Sequence, residues 1–182
     1  MNIFYLDEDP QIAAQYHCDK HVVKMIVESA QLLSTAHRML DGELYFEKSK
    51  NNRQIRRWLL PDEREKVLYK AGFYNHPCGV WTRLNESNYA WLYSLFAFLC
   101  DEYTYRYSRI HETDKKLRTI LSNHPLNIPN GNLTEPALAM PDECVRKDAV
   151  SSYRNYYLTE KVHILNWKVR EVPYWVKESE NA

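Results

Sequence analysis

Two imidazoles, an ammonium and a carboxylate fall on one line of the segment His17 to Glu28. His17, His21, Lys24 and Glu28 are spaced i, i+4, i+7 and i+11, which at about 100° per residue is one stripe of an α-helix. A second stripe, Val22, Ile26, Ser29, Leu33, Ala36 and Leu40, is the face a core would bury. Imidazole and carboxylate carry protons or hold metals near neutral pH. His17 and His21 could share one metal, completed by His76, Cys78 or an acid, which would make the chain a metal-dependent hydrolase. HxxxH without the Glu of HExxH is a weak signal for that chemistry. The plainer alternative is a solvated helix face with an ordinary Lys24–Glu28 pair, on a non-catalytic accessory module that binds nucleic acid or nucleotide.

The elements that must position these groups read as helices. Asp9-Pro10 supplies an N-cap and a first-turn proline. They start a helix over 11–16 that can run into a second over 19–39, stopped at Asp41-Gly42. Residues 1–6 read as a strand or extended arm. Residues 43–61 read as an irregular, mobile basic connection with some helix near 55–60, and 62–70 as a short helix. A long, heavily buried helix is expected over 85–107, a further one over 115–121 and a last strong one over 148–167. Residues 125–141 hold four of the eight prolines and should form a long loop. The expected fold class is all-α, a single helical domain over 1–182 with long irregular loops.

Lys plus Arg and Asp plus Glu each number 24, so overall charge points to no polyanionic partner. Locally, Lys48 to Arg57 (KSKNNRQIRR) holds five basic residues and no acid, a composition suited to phosphate. Fourteen tyrosines and five tryptophans, many beside basic residues as in Tyr153 to Tyr157, offer rings on which bases stack. With only four glycines, neither GxxxxGK[ST] nor GxGxxG occurs. Cys18, Cys78, Cys100 and Cys144 are scattered without a CxxC, and MNIFYLDEDP does not read as a signal peptide. No apolar run approaches membrane-spanning length. The expectation is reduced thiols in the cytoplasm (the host cytoplasm for a phage-encoded protein), with no membrane partner.

Asp19-Lys20-His21 with Glu28, His76-Pro77 with Arg83, the helix ending in WLYSLFAFLCDEYTYR, and the aromatic, basic stretch Trp167 to Trp175 together resemble the pyrimidine-dimer DNA glycosylases of the phage endonuclease V type. In that family an N-terminal helix carries Asp-x-His and, seven residues after the His, the catalytic Glu. The bacterial branch adds a His-Pro and an Arg six residues beyond the Pro. The chain as a whole is also similar to small marine-phage proteins that share HCDKHVVKM (His17 to Met25), a likeness that brings no activity.

The glycosylase resemblance implies base excision with AP-lyase activity on damaged or modified pyrimidines in duplex DNA, without cofactor or metal. Met1 would supply its α-amine as nucleophile, Glu28 the carboxylate, and His21 would tune Glu28. His76, Arg83, Lys20, Arg154 and the basic-segment residues Arg53, Arg56 and Arg57 would contact DNA. One departure concerns the nucleophile: phage members expose a Thr once Met is removed, whereas Met1 here precedes the bulkier Asn2 and is expected to stay. Lys20 and Lys24 are the alternative amines.

Overall fold

Asp9 caps the first helix as its sequence suggests, its carboxylate accepting from the Gln11 and Ile12 amides at 2.7 and 3.3 Å. The computed structural model describes residues 1–180, which run through α1 (Pro10–Tyr16), α2 (Asp19–Asp41), β1 (Glu43–Lys48), β2 (Gln54–Leu59), α3 (Arg64–Val67), α4 (Pro77–Thr82), α5 (Glu86–Tyr107), α6 (Glu112–Leu121), α7 (Ala149–Glu160) and α8 (Tyr174–Glu180). Short 3-10 turns sit at Asp142–Cys144 and Val162–Ile164. Helix accounts for 54% of the chain and the only sheet among the described residues has two strands, so the protein is mainly α. No helix among these residues is long and apolar enough to cross a membrane.

α2 and α5 form the central pair, with α1 on α5 and α4 and α6 on α2. The stripe Val22, Ile26, Leu33 and Ala36 is buried against Tyr89, Leu92, Phe96 and Leu99 of α5 in one core that runs from Ile3 to Val176. Cys100 lies in that core. All four cysteines are free and buried.

His17 and Cys18 are extended and break α1 from α2, and the break is held from α5 by a buried guanidinium. Arg106 donates to the carbonyls of Gln15 and His17 (2.9 Å each), to Asp19 (3.0 Å) and to Glu102 (2.9 Å). Arg170 closes on Glu102 from the other side, while Asp19 also accepts from Asn166 Nδ2 and the Lys168 amide. A two-charge, two-counter-charge cluster thus ties three distant segments at one point.

Several element boundaries depart from the sequence reading. Residues 43–61 are an antiparallel ribbon, with Phe46 opposite Arg56 and Leu44 opposite Trp58. The expected helical turn near 55–60 is strand because Ile55, Trp58 and Leu59 are β-favouring residues that find a partner strand. α3 stops at Val67 because the Leu68 and Tyr69 carbonyls accept from Arg38 at 2.9 and 2.6 Å. α7 ends at Glu160, and α8 is an additional short helix begun by Pro173, whose carbonyl accepts from Val176 at 3.0 Å.

Replacing Arg106 with Met is expected to cost about 3–5 kcal/mol, because it leaves the carboxylate of Asp19 without its buried counter-charge. Urea unfolding should show a lower midpoint at an unchanged slope.

Candidate active site

Asn2 is the residue that shapes the site. Its side-chain oxygen accepts from the Ile3 and Phe4 amides at 2.7 and 3.0 Å, and its amide nitrogen donates to the Ala139 carbonyl at 2.7 Å. This local turn places Phe4 in the left-handed region at φ 43°, a strained conformation for a bulky side chain. Packing holds it there: the Phe4 ring lies 4.3 Å from the His21 ring centroid and stacks on Tyr156 at 5.8 Å. Ile3, Phe4, Tyr5 and Leu6 are all buried.

The turn aims the chain end at α2. The Asn2 amide donates to Glu28 Oε2 at 2.9 Å and the Met1 ammonium lies 3.9 Å from the same oxygen. Lys24 reaches the other oxygen, Oε1, at 3.2 Å. Glu28 keeps a small solvent window, at 15% exposed. An amine and an oriented carboxylate therefore meet beside that window.

The second motif arrives along α2. The Gly72 carbonyl accepts from Thr35 at 3.2 Å and the Lys70 carbonyl from Gln31 at 2.8 Å, so residues 70–72 lie along α2 one to two turns beyond Glu28. His76 then caps α4, its Nδ1 accepting from the Cys78 amide at 3.2 Å. Burial and the N-terminal ammonium lower the His76 pKa while Glu28 opposes them, which places all three groups in one electrostatic neighbourhood. The Cys78 thiol beside them is pushed up to about 11, chiefly by burial, and so stays protonated and inert. A Cβ on Gly79 would lie 3.5 Å from Leu32 Cδ2 and 3.6 Å from Arg83 Nη1. The Arg83 guanidinium thus folds toward α2 one turn beyond Glu28, and its buried Nη1 has no hydrogen-bond partner among the described residues.

His21 sits differently from the stripe it shares. It is buried, with Nδ1 2.6 Å from the Tyr157 hydroxyl, and burial, followed by the charges of its neighbours, lowers its pKa to about 3. It acts on the site through Phe4, by packing. His17 is fully buried with Nδ1 on the Ala13 carbonyl at 2.7 Å, and its ring centroid is 6.5 Å from that of His21. No group of three or more His, Cys, Asp or Glu residues suited to a metal occurs among the described residues.

Of the remaining basic residues, Lys20, Arg53 and Arg56 are exposed. Arg57 pairs with Glu47 at 2.9 Å and donates to the Ala71 carbonyl at 3.1 Å. Arg154 is half-buried and its donors are taken up within the protein: it donates to Leu6 O, Asp7 and Tyr174 Oη and lies against the Tyr16 and Trp175 rings. It fastens the arm to α7. Asn2, Tyr157 and the Ala139 carbonyl escaped sequence reasoning, since their partners are distant in the chain. A cleft of about 660 Å³ is bordered by four acids, Asp7, Glu8, Glu135 and Asp148, and by Arg154, an acidic balance unfavourable to a phosphate backbone.

The family model described as pyrimidine dimer DNA glycosylase matches residues 1–116. The chain belongs to that family. The matched stretch contains the N-terminal arm, Glu28, His76 and Arg83, and DNA is the substrate that membership implies. No curated protein and no solved structure matches the chain.

The neutral buried histidines give a pH signature. His17, His21 and His37 have pKa values lowered to about 4, 3 and 4, mainly by burial, against about 6.5 in an unfolded chain. Between those values the unfolded state binds more protons, so stability should fall as pH drops from about 6.5 toward 4. Urea midpoints at pH 7.5, 6 and 5 should decline in that order, and a flat series would contradict it. Replacing Tyr157 with Phe should cost about 1–3 kcal/mol by leaving His21 Nδ1 unpaired, read from the same unfolding curves.

Proposed function

We propose that this protein is a DNA glycosylase with AP-lyase activity on damaged or modified pyrimidines in duplex DNA, with the Met1 α-amine as nucleophile and Glu28 as its carboxylate. The observation that carries the reading is the meeting of chain end and Glu28, 3.9 Å apart, in a chain of this family. An α-amine has a reference pKa of about 8 against about 10.4 for lysine, which makes it roughly two hundredfold more available as the free base near neutrality.

The steps follow from those two groups. The neutral amine attacks the sugar C1′, forming a C–N bond as the glycosidic bond breaks and its electron pair leaves with the base, which takes up a proton. The ammonium formed at nitrogen loses a proton and the sugar ring opens to a protonated imine. Removal of a C2′ proton then expels the 3′ phosphate by β-elimination. Glu28 offsets the developing positive charge and relays the protons. Lys24, on the opposite carboxylate oxygen, fixes its orientation. His21 supports the arm through Phe4 and takes no proton at neutral pH. His76 and Arg83 would hold phosphates near the amine, and Lys20 would meet the backbone nearby. The target nucleotide would leave the stack to reach them.

The test is borohydride trapping with duplexes carrying an abasic site or ultraviolet damage, comparing wild type with Glu28→Gln. The wild type should form a covalent adduct on both and none on undamaged DNA. The variant should form it at least about 100-fold more slowly. Absence of any wild-type adduct would sink the reading.

A further inference from the structure

The β1–β2 ribbon leaves the body where α2 ends, at Gly42, and carries an unusual surface for an exposed element. Phe46 is 57% exposed, Leu59 51% and Leu44 48%, on an arm whose stretch 48–57 has five basic residues and no acid. A two-stranded ribbon alone in water is marginal, and exposed apolar side chains grouped on one arm mark a contact surface.

The two faces are unlike. On one, Glu47 pairs with Arg57 at 2.9 Å and with Lys70 at 3.6 Å, and Arg57 reaches the Ala71 carbonyl, which pins the ribbon to the body. The other face alternates Leu44, Phe46 and Lys48 with Gln54, Arg56 and Trp58, and Phe46 lies directly opposite Arg56. Trp58 contacts Tyr74 edge-on at 5.2 Å, two residues before His76, so this face continues toward the candidate active site.

We propose that this ribbon is a DNA-reading arm whose Phe46/Gln54/Arg56 face enters the major groove of the duplex that carries the nucleotide being excised. The major groove admits a two-stranded ribbon. Lys48, Lys50 and Arg53 at its tip complement the phosphates of the groove walls. Arg56 and Gln54 offer donors to base edges, and Phe46 an apolar surface to thymine methyl groups. Glu47, the one acid on either strand beyond Glu43 at the root, is turned to the pinned face and neutralised there. The inference rests on the reading of the protein as a DNA-acting enzyme, which family membership supports, and does not need the lyase chemistry.

The experiment measures Kd for an undamaged 24-base-pair duplex as a function of salt, with wild type, Phe46→Ala, Phe46→Tyr and the double variant Arg53→Gln/Arg56→Gln. All three positions are solvent-facing, and circular dichroism checks that each variant folds. Phe46→Ala should weaken binding by about tenfold at an unchanged salt slope, with Phe46→Tyr close to wild type. The double variant should weaken binding and reduce the log–log salt slope by about 1, for the phosphate contact of Arg53. Variants matching wild type in Kd and slope would overturn the proposal. So would a reduced slope with a silent Phe46→Ala, since the ribbon would then touch phosphates without entering the groove. Borohydride trapping on the same wild-type sample reports separately on the lyase reading, so a ribbon that binds without any trapped adduct would refute only the latter.

Discussion

A chain terminus is ordinarily the least ordered part of a protein, and here its burial is the constraint on which the site depends. Asn2 to Leu6 are buried, and the cost of ordering them, including the left-handed Phe4, is offset by the apolar surface they cover and by hydrogen bonds that satisfy the arm's backbone. Asn2 makes three of these, and Arg154 supplies another at the Leu6 carbonyl, 2.9 Å away. Remove the packing and the amine at Met1 becomes a mobile group with no fixed relation to Glu28. With it, amine and carboxylate are pre-positioned, the kind of orientation from which intramolecular reactions gain most.

The groups proposed for chemistry and the groups that hold them come from different parts of the chain. Glu28, His76 and Arg83 lie within the family-matched residues 1–116. His21 on Phe4 and Trp91 on Tyr5 hold the arm from within that stretch, and further clamps lie beyond it: the Ala139 carbonyl on Asn2, Tyr156 on Phe4, Tyr157 on His21, and Arg154 on Leu6 and Asp7. The Asp19–Arg106–Glu102–Arg170 cluster joins the two regions a second time, at the N-terminus of the helix that carries Glu28. The C-terminal third therefore shares in placing the amine, through Ala139, Arg154, Tyr156 and Tyr157. Charge is divided in the same way. Acids line the cleft beside α7, while exposed cations gather on the ribbon and near the α2 N-terminus, so DNA is electrostatically favoured on one side of the arm and repelled on the other.

The helices that frame the site were legible because their signals are local. α2 and α5 show a helical apolar period, and Asp9-Pro10 reads as a cap that the structure uses as one. The ribbon was not legible, because both of its faces are largely exposed and no apolar–polar alternation betrays a buried side. His21 shares a stripe with Lys24 and Glu28, yet it is buried, and only Tyr157, 136 positions away, explains that. Arg154 reads as a cation among tyrosines, which suits DNA equally well until its carbonyl and carboxylate partners are seen. In each case the misleading residue had a long-range partner that spacing cannot encode.

The central claim is that the buried arm presents its own α-amine to Glu28, and the most direct measurement is the site of covalent attachment. Borohydride-reduced adduct on abasic DNA should be digested and mapped by tandem mass spectrometry. The account requires the sugar remnant on the α-nitrogen of the N-terminal peptide, Met1 onward. An adduct on the side chain of Lys20 or Lys24, with the α-amine unmodified, would contradict it and leave the arm a purely structural strap.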